Sequence, residues 1–479
     1  MAIDPEQPIP IYFQLKTLLL EEILSGRYAP GERLPTEHEL CARYRISRTP
    51  VNRALSELVE EGVVLRHRRR GTFVNPHWAM PRADGPELRV VVPEGPWEAQ
   101  MRWATPPELR ISVASVGLPD LYDVLRHAVA EGRGPDLAVL DSVWVPEFSA
   151  AGFLWALDEI DADWLRREYE ADFLRPLVGA NQYRGRTFAI HAEADVAGLW
   201  YQRGVLRRLG LDPPGSWDAL FEVGRSLTAR QDRPRHTLVL PGGSRGGETT
   251  TYCLLAFLAS NGATVLGEEG VTLDTAAAAE TLGLLRCLVD EQIMPGEVVA
   301  YEWDRPIRLL AQGQAAMSFG GSYEARMLAE AVGRSMDGIW DDFGFIPVPG
   351  GPRGRPATLA GGMVYAIFRQ AGHPKLAMRL LQALTSADAL ARMARGTGQI
   401  PPRRSAVRLV AAGSPFVAAT AEMLDHAVLR PATPAHARVS AQLQAMLEAV
   451  LTGRLGAAAA VRRAADMIGA ITGLPVLHG

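Results

Sequence analysis

Arg48 and Thr49 open a predicted helix directly after Ser47, and Arg66, Arg68, Arg69 and Arg70 crowd a predicted turn beyond its end. A guanidinium at a helix N-terminus can bond both acceptors of a guanine edge, while the free N–H groups of the first turn favour phosphate. Arginines on a turn suit phosphate or a narrow minor groove. Between Arg43 and Thr72 there are eight arginines against three glutamates, and Glu57, Glu60 and Glu61 fall late in the helix, away from its N-terminus. The bland alternative is a solvated basic surface with no partner.

Other residues offer chemistry that the chain does not complete. Glu193 and Asp195, at i and i+2, have the residue types of glycoside hydrolysis, but they fall in a segment with no predicted element and nothing else supports that reaction. The chain has two lysines, Lys16 and Lys375, both on predicted helices, so no lysine is placed to carry a Schiff base. Gly242-Gly-Ser-Arg-Gly-Gly247 lacks the Gly-Lys-Ser/Thr ending of a phosphate-binding loop and reads as a flexible loop. Cys41, Cys253 and Cys287 are too far apart to suggest a disulfide framework or a metal cluster. No catalytic residue, metal ligand or cofactor is therefore assigned, and the chain is not read as an enzyme.

The elements that must position the arginines are legible from pattern. Ile11, Leu15, Leu18, Leu19 and Ile23 recur at helical spacing, with Gly26 as a stop. Thr36-Glu-His-Glu39 predicts a capping box and a short helix ending near Tyr44. Ser47 is expected to cap the next helix, Pro50 fits its first turn, and Val51, Ala54, Leu55, Leu58 and Val59 form its buried stripe up to Gly62. Residues 63–65 and 72–74 then read as short strands around the arginine-rich turn. His77–Pro86 is aperiodic and reads as a linker.

Beyond it, short apolar strands such as 88–92, 134–141 and 315–319 alternate with predicted helices, including 120–131, 217–227, 252–261 and 276–292, which is the pattern of α/β architecture. At 479 residues with 47% hydrophobic and 22% charged residues, the chain has the composition of ordinary globular domains. A net charge of −4 means that any basic surface is local. The first residues have neither a basic segment nor an apolar one, and no apolar run reaches membrane-spanning length, so a cytoplasmic location and no membrane partner are expected.

Four linked motifs then carry a resemblance. Pro10-Ile-Tyr-Phe-Gln-Leu15, Gly31-Glu-Arg-Leu-Pro-Thr-Glu-His-Glu-Leu40, Ser47-Arg-Thr-Pro-Val-Asn-Arg-Ala-Leu-Ser-Glu-Leu58 with Gly62, and Gly71-Thr-Phe-Val74 occur in the order found in the winged helix-turn-helix of GntR-family bacterial transcription regulators, which residues 8–75 resemble. The resemblance implies DNA contacts at Ser47, Arg48, Thr49 and the wing around Arg70 and Gly71. The candidate interface comprises Thr36, His38, Ser47, Arg48, Thr49, Asn52, Arg53, Arg69, Arg70, Gly71 and Thr72. His38 and Asn52 stand where the family usually has Arg, and Arg69 where it commonly has Gly, departures that bear on which operator is read.

The remainder resembles the solute-binding proteins of sugar ABC importers. The landmarks are Gly134-Pro-Asp-Leu-Ala-Val-Leu-Asp141, Gly152-Phe-Leu-Trp-Ala-Leu-Asp-Glu159, Tyr183-Arg-Gly-Arg-Thr-Phe-Ala-Ile190, Leu199–Leu206, Gly215–Leu220, Gln312–Met317, Gly361-Gly-Met363 and Gln399-Ile-Pro401, with His191 and Gln202 as departures. The expected fold is multidomain: an α+β winged helix-turn-helix over 1–76, a linker over 77–87, and a two-lobed α/β domain of the type II periplasmic-binding-protein kind over 88–479. Such a fold binds solute in an interlobe cleft, here expected to be lined by Ser142, Trp144, Glu193, Asp195, Tyr252, Trp303, Gly321, Tyr323, Gly361 and Gly362. Aromatic rings stack on sugar faces and carboxylates accept hydroxyl hydrogen bonds.

These expectations combine into a ligand-responsive regulator that binds operator DNA as a homodimer, with a sugar or oligosaccharide as effector. Two other readings stay open at this stage: a cytoplasmic solute-binding protein without regulatory DNA binding, and a DNA-binding regulator whose large domain only dimerises.

Overall fold

The computed structural model describes residues 3, 10–24, 27–67, 70–76, 86–231, 233–336 and 338–478. Gly26, Arg69 and residues 77–85 of the expected linker lie outside the described residues. The chain divides into two compact units, Met1–Ala138 with Gln370–Ala377, and Val139–Arg369 with Met378–Gly479.

The first unit begins with helices α1 (Ile11–Leu24), α2 (Glu37–Tyr44) and α3 (Arg48–Glu60), followed by the antiparallel strands β1 (Val64–His67) and β2 (Gly71–Val74). Leu15, Leu19, Leu40, Val51, Leu55, Leu58 and Val64 bring one face of each element into a common apolar core. The capping box at Thr36 forms as expected, with Glu39 N–H donating to Thr36 Oγ1 and Thr36 N–H donating to the Glu39 carboxylate. These bonds hold the Glu39 carboxyl below the usual range. Arg45 takes the left-handed conformation (φ 55°) that turns the chain between α2 and α3. Ser47 occupies the N-cap position of α3, but its side chain makes no capping hydrogen bond, and Val59 is half-buried rather than buried. Arg66 and His67 belong to β1, so the turn is shorter than the pattern suggested.

The same unit continues with β3 (Glu87–Pro93), α4 (Trp97–Ala104), β4 (Arg110–Val116) and α5 (Leu121–Ala130). Strand β5 (Leu137–Asp141) starts in it and runs on into the second unit. β3 pairs in parallel with β4, Val90 opposite Val113, and with the start of β5, Val90 opposite Leu137. Parallel neighbours need crossovers, and α4 and α5 supply them.

In the second unit the remaining strands are β6 (Gln182–Tyr183), β7 (Arg186–Thr187), β8 (Ala189–His191), β9 (Asp195–Gln202), β10 (His236–Val239), β11 (Ala315–Gly321), β12 (Phe343–Ile346), β13 (Leu359–Gly361), β14 (Met363–Ile367) and β15 (Val428–Leu429). β9 is the centre: it pairs antiparallel with β11, β12 and β13, while β10 adds to β11 and β15 to β13 in parallel. The strand's period of two divides its side chains between two cores. Ala197, Leu199 and Tyr201 join one with Leu238, Phe257 and Phe319; Val196 and Trp200 join the other with Phe345 and Phe416. A Cβ on Gly198 would sit 2.4 Å from Ile346 O, so the β9–β12 approach needs glycine there.

The stretch expected to be a flexible glycine loop is different in the structure. Gly242 and Gly243 are buried, Ser244–Gly246 is a 3₁₀ turn, and Gly247 begins a helix that continues to Ser260. Helices His436–Leu451 and Ala457–Thr472 end the chain. Among the described residues no helix is long and apolar enough to cross a membrane.

Candidate functional site

Helix α3 presents its N-terminus to solvent. Ser47, Arg48 and Thr49 are exposed, and the Arg48 side chain retains 77% of its accessible area. Arg48 Nε donates to Glu37 Oε2 at 2.8 Å. Arg66 of β1 pairs with the other oxygen of Glu37 and donates to Asn52 Oδ1 at 3.1 Å. Glu37 thus joins the arginine of α3 to that of the wing, with half-buried Asn52 beside them. His38 is exposed on α2, and the Thr36 hydroxyl is engaged by Glu39. Arg70 is exposed in the turn, and Gly71, at φ +110°, lies so close to Arg33 that a Cβ would come within 2.7 Å of its Nε.

Two residues of the expected interface point elsewhere. Thr72 is buried because β2 alternates, and residues 72 and 74 share the core-facing side. Arg53 lies on another face of α3: its guanidinium sits 3.8 Å from the centroid of the Tyr12 ring and donates to the Tyr12 hydroxyl at 3.2 Å. Arg53 also pairs with Glu57 at 3.4 Å and with Glu94 at 3.5 Å, and the Tyr12 hydroxyl donates to Ser115 O at 3.4 Å. Within the first unit, then, Arg53 and Tyr12 tie α1 and α3 to residues just past β3 and near the end of β4.

The second unit contains a hydrogen-bonded cluster of polar and charged side chains around the end of β5 and the start of β9. Asp141 Oδ1 accepts from Val143 N–H and from Arg430 Nη2, each at 3.1 Å, and the same nitrogen donates to Ser142 Oγ at 3.0 Å. Arg430 Nη1 donates to Glu248 Oε1 at 3.4 Å, and the guanidinium lies 5.5 Å from the Tyr252 ring centroid. Glu248 also accepts from Ser440 Oγ at 2.8 Å and meets His436 Nε2 at 2.9 Å. It stands in the first turn of helix Gly247–Ser260, where the helix dipole favours a carboxylate. Burial works against its ionisation, but His436, Arg430 and Ser440 outweigh that and hold its pKa below the usual value.

One turn further along the helix, Tyr252 presents its hydroxyl 2.5 Å from Asp195 Oδ1 and 2.9 Å from Leu359 O. Its ring lies 6.3 Å from that of Tyr323, whose hydroxyl donates to Thr249 Oγ1 at 3.1 Å. Gly361 makes the Asp195–Tyr252 contact possible, since a Cβ there would fall 2.5 Å from Asp195 Oδ1. Gly362, at φ +138°, leaves no room for a Cβ beside Glu193 O. Gly361→Ala should therefore separate Asp195 from Tyr252 and lower stability by about 1–3 kcal/mol, read by chemical denaturation.

Glu193 and Asp195 are enclosed by protein yet keep some accessible surface. Burial, reinforced by Asp195, pushes the Glu193 carboxyl up to about 8. Burial also raises Asp195, to about 6, although Tyr252 and Arg430 oppose the shift. A carboxyl whose folded pKa is raised holds its proton longer in the folded protein, so its contribution is fully favourable below the unfolded value and is lost as pH rises through the folded value. Folding stability should fall between about pH 4.5 and 8 through Glu193, and Glu193→Gln should flatten that slope in denaturation measured across the range. His191 is buried and pushed down to about 3, first by desolvation and then by Arg430, so it is neutral; its Nδ1 lies 2.8 Å from the Asn181 amide nitrogen.

These contacts gather Ser142, Asp195, Tyr252 and Gly361 around Arg430, with Glu193, Gly362 and Tyr323 adjoining. Trp303 is on the surface, 45% exposed, and among the described residues no hydrogen bond or ring contact joins it to Tyr252 or Tyr323. Trp144 is half-buried in the 3₁₀ turn after β5. Gly321 is buried, and its carbonyl accepts from Trp200 Nε1 at 3.1 Å. Sequence reasoning missed Asp141, Glu248, Arg430 and His436. Glu248 was discoverable, because it precedes Tyr252 by four residues and shares its helix face. Arg430 lies in an irregular stretch rich in proline that carries no periodic signal.

Two family descriptions match the chain: bacterial regulatory proteins of the gntR family over residues 11–74, and bacterial extracellular solute-binding proteins over residues 104–391. An uncharacterized HTH-type transcriptional regulator of Bacillus subtilis (strain 168), YurK, is 48% identical over 65 residues, 14% of this chain and 27% of that protein. The chain thus spans about a quarter of the length of that regulator. A putative binding protein of Brucella abortus (strain 2308) is 21% identical over 337 residues, 68% of this chain and 79% of that protein. A solved ABC-transporter solute-binding protein from Thermotoga lettingae, bound with α-D-tagatose, has a TM-score of 0.71 at 24% identity, covering 81% of this chain and all of that one. That likeness gives the fold, and neither matching family is a family of enzymes.

Proposed function

Because the chain belongs to the family of bacterial extracellular solute-binding proteins and carries a gntR-type regulatory region over residues 11–74, we propose that it is a ligand-responsive transcription regulator. The effector is a small carbohydrate held in the pocket around Asp195, Tyr252 and Arg430. The protein acts in the cytoplasm as a homodimer, whose two reading helices address half-sites about one helical turn apart. The observation that carries this reading is the presence, in one chain, of an exposed arginine-bearing helix N-terminus and a buried cluster of carboxylates, a tyrosine and one guanidinium.

Ligand binding closes the solute-binding fold by a hinge motion and changes the placement of the reading helices. The contacts of Tyr12 and Arg53 with Ser115 and Glu94 are the route within the first unit. Coupling is reciprocal, so a sugar that weakens DNA binding is itself bound more weakly by the DNA complex. The test is fluorescence anisotropy of a labelled duplex from upstream of the protein's own gene, titrated with and without mono- and oligosaccharides. A sugar-dependent shift of the DNA titration is expected; a sugar that binds with the same affinity in the presence and absence of DNA rejects the reading. Arg53→Ala should shrink that shift more than it changes DNA affinity in the absence of sugar.

One observation favours a second reading, in which the large module only dimerises. The space beside Ser142, His191 and Arg430 is 30 Å³, room for water rather than for a sugar. A thermal-shift screen with saccharides separates the two readings, because a bound ligand raises the melting temperature.

A further inference from the structure

We infer that the homodimer forms through the two helices that end the chain, with a second copy of helix Ala457–Thr472 docked antiparallel against the first. The inference deepens the homodimer reading and rests on it.

Helices His436–Leu451 and Ala457–Thr472 pack against each other and leave a groove of about 400 Å³ between them. Met446, Ala449, Leu455, Ala460 and Ala464 give the groove apolar walls. The Glu448–Arg454 ion pair, at 2.8 Å, and Arg463 line it as well. Ala460, Arg463, Ala464 and Met467 stand at i, i+3, i+4 and i+7, so they share one face of their helix. Met467 is 44% exposed. A single exposed methionine needs no explanation by itself. This one stands two turns along the same face from the apolar end of a groove wide enough for a side chain, and an unbranched thioether adapts well to an irregular gap.

The charges of the helix fix how two copies meet. Arg462, Arg463 and Asp466 are exposed, and among the described residues none of the three makes a hydrogen bond or ion pair. Two antiparallel copies that cross near residue 464 bring Met467 of each copy opposite Ala460 of the other, at the groove. The same crossing sets Asp466 of each copy beside Arg462 and Arg463 of the other, because all these pairs of positions lie symmetric about residue 464 to within one place. Methionine and groove, acid and base thus match under a single twofold rotation, which is the condition for an isologous interface. Packed in parallel, the copies would set arginine against arginine and methionine against methionine, and the groove would stay empty. A different protein would have to supply both complements separately, whereas a second copy supplies them by symmetry.

The test is sedimentation equilibrium on the full chain and on two charge-reversed variants, Arg462→Asp with Arg463→Asp, and Asp466→Arg. The three positions are exposed, so both variants should keep the parent's melting temperature. Each variant should dimerise at least about tenfold more weakly than the parent, since like charges then face each other on both sides of the axis. An equimolar mixture of the two should recover dimers containing one copy of each, because every acid again meets a base. Met467→Glu should weaken the dimer as well, and it serves as the second variant if a charge-reversed chain does not fold. Variants that dimerise as tightly as the parent, or a mixture that stays monomeric where the parent is dimeric, overturn the inference and leave the homodimer reading intact. A parent that stays monomeric at every concentration, with duplex DNA and without, overturns both.

Discussion

Replacing Arg430 by alanine is expected to destabilise the second unit by about 3–5 kcal/mol, the range for breaking a buried ion pair by removing one partner. The Arg430 side chain is 9% exposed, and it meets Asp141, Ser142 and Glu248 at hydrogen-bond or ion-pair distance. Without it, Asp195 keeps the unfavourable charge of Asp141 and loses the favourable one of Arg430, and Glu248 is left with His436 and Ser440. The loss should shrink on acidification, as the stranded carboxylates take up protons. Arg430→Lys should recover only part of the stability, because an ammonium cannot reproduce the planar fork that reaches Asp141, Ser142 and Glu248 together. Urea denaturation with a probe in the second unit, at about pH 7 and pH 5, measures these differences. Equal stability of Arg430→Ala and the parent at both pH values would remove Arg430 from the role given to it.

The second large effect is on DNA. Arg48→Ala should weaken operator binding by about 1–3 kcal/mol, roughly five- to 150-fold, while leaving the melting temperature unchanged. The contrast between these two readouts follows from exposure, since the Arg48 side chain keeps 77% of its area and its ion pair with Glu37 is at the surface. If Arg48 reads a base, the variant relaxes sequence preference at one position; if it holds a phosphate, the loss is uniform across sequences and the salt slope falls by about one. Unchanged affinity for every duplex in the variant would separate Arg48 from the DNA-reading role.

The parts of the fold and site that are legible in the amino-acid sequence are those with local causes. The capping box at Thr36, the stripe Val51–Leu58 and the short strands around the turn are patterns of this kind, and they form where they are expected. Thr72 and Arg53 show the limit of a motif: it marks a segment, but strand alternation and helix face decide which side chains reach outward. The stretch Gly242–Gly247 departs from expectation for a different reason. Its glycines suggest mobility, whereas in the fold they permit close approach: a Cβ on Gly243 would fall 2.3 Å from Val299 O. Reading it as a loop hides the first turn of the following helix and, with it, Glu248. Arg430 is beyond the reach of pattern because its three partners are contributed by segments more than 180 residues away in sequence, and no local signal encodes such a meeting.

The bridge that Glu37 makes between Arg48 and Arg66 bears on how a genome is searched. In the free protein the Glu37 carboxylate occupies both guanidinium groups, as a phosphate would. Any duplex that engages them must first displace that internal anion. Random sequence, which offers only backbone charge, meets the same competitor without the compensation of base contacts. On the proposed reading, Glu37 therefore subtracts the same free energy from every duplex: it weakens binding to right and wrong sites alike and leaves the choice between them to the base contacts.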